Sequence, residues 1–172
     1  MRDALTFRTA NSHDIDGVMR LVEDCIAAMR RAGIDQWDAI YPSRSVFDAD
    51  IREGTLYLAS GQDADLVGTV VLNEKQSPEY ARVAWTLTTG RVGVVHRLMV
   101  APMYQQQGTA RALMAFAESR ARESGYEVIR LDAFTRNPRA LRLYEGLGYR
   151  DAGPVTLRKG LFRCFEKSLV QR

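Results

Sequence analysis

Val100-Ala-Pro-Met-Tyr-Gln-Gln-Gln-Gly-Thr-Ala-Arg-Ala-Leu-Met114 holds the end of a strand, a tight turn and the start of a helix in direct succession. Upstream, Val92-Gly-Val-Val-His-Arg-Leu-Met-Val100 is an apolar, β-branched run of strand length, and Pro102 marks its end. Downstream, Leu113, Met114, Ala117 and Ala121 recur at helical spacing until Gly125 ends the pattern. A helix N-terminus presents backbone N–H groups that lie outside its own hydrogen-bond ladder, at the positive end of the macrodipole. Small residues there let an anionic ligand lie against bare backbone. Gln105-x-x-Gly108-x-Ala110 supplies such residues, and a diphosphate is the ligand type that suits them.

A second unit follows. Val128-Ile-Arg-Leu-Asp-Ala-Phe134 is another β-like run, and Asn137-Pro-Arg-Ala-Leu-Arg-Leu-Tyr-Glu-Gly-Leu-Gly-Tyr149 reads as a short helix closed by Gly148. Together, Val-x-Pro-x-Tyr-Gln-x-x-Gly-x-Ala and Asn-x-x-Ala-x-x-Leu-Tyr-x-x-x-Gly-Tyr resemble the motifs of the GCN5-related N-acetyltransferases, the GNAT superfamily. The resemblance is specific over residues 92–149 and architectural before them. It implies that the first motif binds the diphosphate of acetyl-CoA through residues 105–111 (Gln105, Gln106, Gln107, Gly108, Thr109, Ala110 and Arg111). It also implies that Tyr144 lies near the thioester sulfur. Two positions depart from the commonest pattern: Gln105 stands where arginine is frequent, and Ala110 where a second glycine is frequent. One extra methyl narrows the backbone cradle without closing it.

The 172 residues fit one domain, residues 1–172, able to bury roughly 70% of its unfolded surface. Hydrophobic content of 46% and charged content of 26% exclude the disordered and fibrous classes. No run approaches membrane-spanning length, and Met1-Arg-Asp-Ala-Leu-Thr-Phe7 lacks the apolar segment of a secretory signal, so a cytoplasmic location and no membrane partner are expected. Cys25 and Cys164 have no metal-ligand spacing around them; both read as buried small residues, and no metal is expected. A formal charge of +3 with dispersed basic residues does not argue for a nucleic-acid partner. Arg130, Arg136, Arg139, Arg142 and Arg150 gather around the second motif; solvated surface is the ordinary role for such residues, and a phosphate contact, assigned to Arg142, is the sharper one.

From the start of the chain, Leu5-Thr-Phe-Arg-Thr9 alternates as a strand should, and Asn11 or Ser12 can cap the next helix. Ile15, Val18, Met19, Val22, Cys25, Ile26 and Met29 form its apolar stripe, which ends at Gly33. Ile34-Asp-Gln-Trp-Asp-Ala-Ile-Tyr-Pro42 has no period and reads as a loop. The resemblance makes Trp37, Asp38 and Tyr41 candidates for contact with the acceptor, while Trp37 also reads as a plug in the core. A short helix stopped at Gly54 precedes a hairpin, Thr55 to Ser60 and Asp65 to Leu72, in which Gly68 suggests a bulge. Residues 73–91 are long for a connection, and a partly ordered excursion is expected there. Two closing strands meet at Arg158-Lys-Gly160. The expected fold is α/β (α+β), a GNAT-like mixed central β-sheet of about seven strands flanked by about four helices.

Acetyl transfer from a thioester to an amine needs an uncharged amine, a place for the charge developing on the carbonyl oxygen, and a proton for the departing thiolate. Imidazole titrates at about 6.5, which suits His96 to the first need. The resemblance places His96 where arylalkylamine acetyltransferases carry a histidine proposed to relay the proton. Val94 falls where histone-type members carry a glutamate. Alternatively His96 is a half-buried strand histidine, with Glu74, Glu79 or a water chain as the route for the proton. Backbone N–H groups of Leu98, Met99 and Val100 are implied for the oxyanion. Tyr144 is the candidate proton donor, or else an aromatic on the buried face of its helix beside Leu141 and Leu147. Asn137 reads as a helix N-cap and, by resemblance, as a partner of the pantetheine arm.

The function expected is acetyl-CoA-dependent transfer of an acetyl group to the primary amine of a small-molecule or amino-acid-like acceptor by direct attack, in a monomer or homodimer. The alternatives are a non-catalytic acyl-CoA-binding module and a protein or peptide N-acetyltransferase.

Overall fold

Thr6–Thr9 forms the first strand, β1, and Asn11 caps not the long helix itself but the 3-10 turn Ser12–Asp14 that leads into it. The Asn11 side chain accepts the His13 N–H at 2.9 Å while the Asp14 carboxylate accepts the Asn11 N–H at 2.7 Å, a reciprocal arrangement that satisfies donors at both positions. The coordinates are a computed structural model and describe residues 4–170. They form two compact units, residues 4–71 with 96–117, and residues 72–95 with 118–170.

In the first unit, helix α1 (Ile15–Arg31) buries Ile15, Val18, Leu21, Val22 and Cys25, the three- and four-residue spacing of its stripe. Met19, Ile26 and Met29 pack against the same core at its margin. Gly33, at φ 74°, turns the chain beyond the helix end. Helix α2 (Arg44–Arg52) contributes Phe47, which is fully buried. Strands β2 (Leu56–Ser60) and β3 (Leu66–Asn73) make the expected antiparallel hairpin, and β1 pairs with β2. The hairpin does carry an irregularity, but Gly68 is not the extra residue. Ala59 faces Gly68 and Ser60 faces Leu66, which leaves Val67 unmatched. Gly68 has a different reason to be glycine: a Cβ there would lie 2.6 Å from the Met99 carbonyl oxygen and 2.8 Å from Leu113 Cδ1. The thiol of Cys25 is buried and donates to the Val100 carbonyl at 3.5 Å.

Strand β4 (Val92–Val100) and helix α3 (Thr109–Glu123) contribute residues to both units, as does β3. In the second unit, β4 runs parallel to β5 (Val128–Phe134), with Val92, Gly93 and Val94 opposite Val128, Ile129 and Arg130. Helix α4 (Pro138–Gly146) precedes the antiparallel strands β6 (Arg150–Leu157) and β7 (Gly160–Ser168), and residues 162–168 of β7 pair with all of β5. Among the described residues the sheet has seven strands in the order β1-β2-β3-β4-β5-β7-β6, the mixed architecture expected.

The connection between β3 and β4 is better ordered than its sequence suggests, because two buried charges organise it. Glu166, 1% exposed, accepts the Thr86 N–H at 3.0 Å, the Thr86 hydroxyl at 2.5 Å and the Leu87 N–H at 3.1 Å. Burial opposes ionisation of that carboxyl, but the Thr86 and Leu87 donors outweigh it and hold the group below the usual carboxylate range. Arg130, its register partner on β5, donates to the Leu87 carbonyl at 3.0 Å and to Gln76 at 2.9 Å, and lies over the Trp85 ring. Among the described residues no helix is long and apolar enough to cross a membrane.

Candidate active site

The turn between β4 and α3 has the form its sequence predicts, with detail the sequence does not show. Gln106 and Gly108 both take left-handed backbone conformations, at φ 60° and 89°. The helical ladder begins with the Ala112 N–H donating to the Gly108 carbonyl at 3.0 Å, so the N–H groups of Thr109, Ala110 and Arg111 lie ahead of it, at the positive end of a helix of 15 residues. The amide-rich composition has a physical reason. Gln105 donates from its side chain to the Val100 carbonyl at 3.0 Å, and Gln107 donates to the Met103 carbonyl at 2.8 Å. Thr109 is buried, and its hydroxyl donates to the Tyr104 carbonyl at 3.0 Å. Three neutral side chains therefore tie the turn to the segment just before it. A left-handed glycine and the positive end of a helix fit a diphosphate, and Arg111 is exposed beside them.

On β4 itself, Val94 is fully buried, His96 and Leu98 are half-buried, and Met99 and Val100 are buried. Between His96 and Leu98 stands Arg97 at φ 47°, a left-handed residue inside a strand, which costs of order 1–3 kcal/mol of local strain. Its guanidinium is buried. It donates from Nε to Asp50 Oδ2 at 3.0 Å, from Nη2 to Asp50 Oδ1 at 2.7 Å and Oδ2 at 2.6 Å, and from Nη1 to the Tyr41 hydroxyl at 2.9 Å. The Arg97 carbonyl accepts from the buried Thr69 hydroxyl at 3.4 Å.

The loop at 34–42 carries the three acceptor-contact candidates. Trp37, 9% exposed, lies in the core cluster with Val18, Val22 and Phe47. Asp38 Oδ1 accepts the N–H groups of Ile40 at 2.9 Å and Tyr41 at 3.1 Å and so shapes the loop. Tyr41 is half-buried against the core, with its hydroxyl on Arg97.

In the second unit, Asn137 is the N-cap of α4, its Oδ1 accepting the Ala140 N–H at 3.3 Å, and Arg142 is exposed on that helix. Tyr144 is 6% exposed, its ring set 5.9 Å from the rings of both Tyr149 and Phe165. Burial, then the nearby Asp132 carboxylate, push its phenol above the ordinary value, so it carries its proton at neutral pH. Asp132 and Tyr80 were not singled out from the sequence. The Tyr80 hydroxyl donates to Asp132 Oδ2 at 2.6 Å; burial pushes the Asp132 carboxyl up, and the Tyr80 hydrogen bond only partly opposes it. A signal existed: an acid in the middle of the apolar run Val128-Ile-Arg-Leu-Asp-Ala-Phe134 must be partnered or functional.

Among the described residues, no group of three His, Cys, Asp or Glu is placed to hold a metal ion.

Residues 20–149 match the model of the Acetyltransferase (GNAT) family, and the chain belongs to that family and is an N-acetyltransferase. Solved structures similar to it include an acetyltransferase of the GNAT family from Streptococcus agalactiae, with 22% identity, 98% of this chain and 96% of that one covered, and a TM-score of 0.85. The ribosomal-protein-S18-alanine N-acetyltransferase from Escherichia coli is another, with 15% identity, 98% and 96% coverage and a TM-score of 0.70. A chain of the NatC complex bound to Gag peptide and CoA also matches, with 18% identity, 96% and 99% coverage and a TM-score of 0.71. These three likenesses are of fold. No curated protein matches the chain in sequence.

Proposed function

We propose that residues 1–172 act as one acetyl-CoA-dependent N-acetyltransferase domain, in the cytoplasm and as a monomer or homodimer, that acetylates the primary amine of a small-molecule or amino-acid-like acceptor by direct attack. The observation that carries this is the turn of residues 105–111, where left-handed Gln106 and Gly108 lead into a helix start suited to a diphosphate. Acetyl-CoA supplies the activated acetyl group. The N–H groups of residues 105–111 hold its diphosphate, with Arg142 as a phosphate contact and Asn137 on the pantetheine arm. The N–H groups of Leu98, Met99 and Val100 serve the carbonyl oxygen, and the Tyr144 hydroxyl gives its proton to the departing sulfur. The loop carrying Trp37, Asp38 and Tyr41 walls the acceptor.

His96 is the proposed base. Asp132 is a second reading, favoured by burial that raises its affinity for a proton. A protein or peptide acceptor is the competing substrate class, favoured by two of the similar structures, one named for alanine acetylation on a ribosomal protein and one bound to a peptide.

Acetyl-CoA is expected to give heat on titration and to raise Tm, and Gly108→Val to weaken binding at least about tenfold, roughly 1.4 kcal/mol. The same change at Gly61 should leave affinity within about twofold, because Gly61 has a negative φ and lies outside the turn. Absence of both heat and a Tm shift at saturating acetyl-CoA would overturn the cofactor assignment. Thiol release measured across amines, amino acids and peptides then identifies the acceptor class; release with none of them would make the chain an acyl-CoA-binding module.

The pH profile decides the base. As the base loses its proton kcat/KM should rise with pH, and His96→Ala should erase that limb and lower the rate about a hundredfold. If Asp132→Asn erases it instead, with His96→Ala unaffected, the proton goes to the carboxylate.

A further inference from the structure

Arg97 combines two features that each oppose folding, a left-handed backbone in the middle of a strand and a guanidinium removed from water. A glycine at this position would avoid both, since glycine takes positive φ without strain. A buried ion pair is weak evidence for stability, because the loss of hydration offsets its attraction. Its geometry is the better guide. Asp50 grips the guanidinium fork from α2, using both oxygens, and the Tyr41 hydroxyl takes the remaining direction from the loop that precedes α2. The Phe47 ring lies 5.9 Å from the guanidinium carbon, and the Thr69 hydroxyl reaches the Arg97 carbonyl from β3. The strained residue is thus held at its side-chain end and at its main-chain end, from three different segments.

We infer that Asp50 and Tyr41 are positioning residues: through Arg97 they lock β4 in its left-handed kink, and so fix the direction of the N–H groups of Leu98, Met99 and Val100. This rests on the proposed acetyl transfer, in which those N–H groups serve the carbonyl oxygen. A kink held by a clamp keeps its direction as acceptor and product come and go. An unclamped one relaxes toward ordinary extended backbone and carries the N–H groups out of line.

The test separates backbone positioning from stability. Asp50→Asn keeps the side chain's shape but removes the charge; kcat/KM should fall about tenfold with acetyl-CoA affinity changed by less than about twofold. Peptide-level hydrogen–deuterium exchange over residues 96–100 should rise in the same variant. Asp50→Asn/Arg97→Gly leaves no buried charge and puts at 97 a residue at ease with positive φ, so it should regain most of the lost kcat/KM. Should Asp50→Asn fail to fold, Tyr41→Phe, which removes a single hydrogen bond to Arg97, should still lower kcat/KM about threefold and raise exchange in the same peptide. A role confined to stability would lower Tm in every variant, worst in the double one, and leave kcat/KM of the folded enzyme unchanged; that pattern overturns the inference. A wild-type enzyme that releases no thiol with any amine overturns the functional proposal instead, and the exchange measurement still decides whether the clamp holds β4.

Discussion

Tyr144→Phe should lower kcat and kcat/KM together by about two orders of magnitude, with acetyl-CoA affinity changed by less than about twofold. The substitution keeps the ring and its packing between Tyr149 and Phe165 and removes the hydroxyl alone. Free thiols have a pKa of about 8.5 and free phenols about 10, so the transfer depends on holding donor and sulfur together rather than on acidity. Burial and the neighbouring Asp132 raise the phenol further. The sign follows: Tyr144 stays protonated as pH rises through neutrality, and no loss of activity from its ionisation should appear below about pH 10. Steady-state kinetics on both enzymes, with calorimetry for the coenzyme, check this. A wild-type rate in the variant would mean that Tyr144 serves only as an aromatic spacer.

Gly68→Val should destabilise the protein by about 3 kcal/mol or more, a fall in Tm of roughly 6–12 °C for a chain of this size. The new Cβ would sit 2.6 Å from a main-chain oxygen, that of Met99, and backbone in a paired strand cannot swing aside as a flexible side chain can. Even Gly68→Ala meets the same obstacle. By contrast, a Cβ at Gly61 lies 3.5 Å from Val67 Cγ1, an ordinary contact, so Gly61→Ala should stay within about 0.5 kcal/mol of wild type. Thermal and denaturant unfolding of the three variants distinguish them, and equal stability across the series would sink the close-approach account.

Gly68 also shows where the sequence stops being informative. A glycine in a strand signals a bulge or a close approach, and only the register and the neighbouring carbonyl separate the two. The elements themselves were legible because they depend on local periodicity: the stripe of α1, the hairpin of β2 and β3, and the β–turn–α run around Gly108. Asn137 as an N-cap was legible for the same reason, since capping reaches only three residues. What escaped were pairings across long sequence separations. Nothing near Arg97 announces Asp50, which is 47 residues away, and nothing near Asp132 announces Tyr80, which is 52 away. Trp37 was open to two readings because an isolated aromatic in a polar loop has no period to locate it, and the structure seats it in the core. Partial order is all that local sequence supports in residues 73–91, because the groups that organise the segment, Glu166 and Arg130, belong to strands far downstream.

The glutamine-rich turn has an entropic consequence. Gln105, Gln107 and Thr109 each hold a carbonyl of the segment just ahead of them, so the backbone from Val100 to the start of α3 is already shaped when the chain folds. A looser glycine turn would have to surrender conformational freedom at the moment an anion docks, and that loss would be subtracted from the affinity. Here the loss is incurred once, during folding, and the tethers are uncharged amides and a hydroxyl. The rigidity of the turn is therefore insulated from ionic strength, whatever salt does to the attraction of the anion itself.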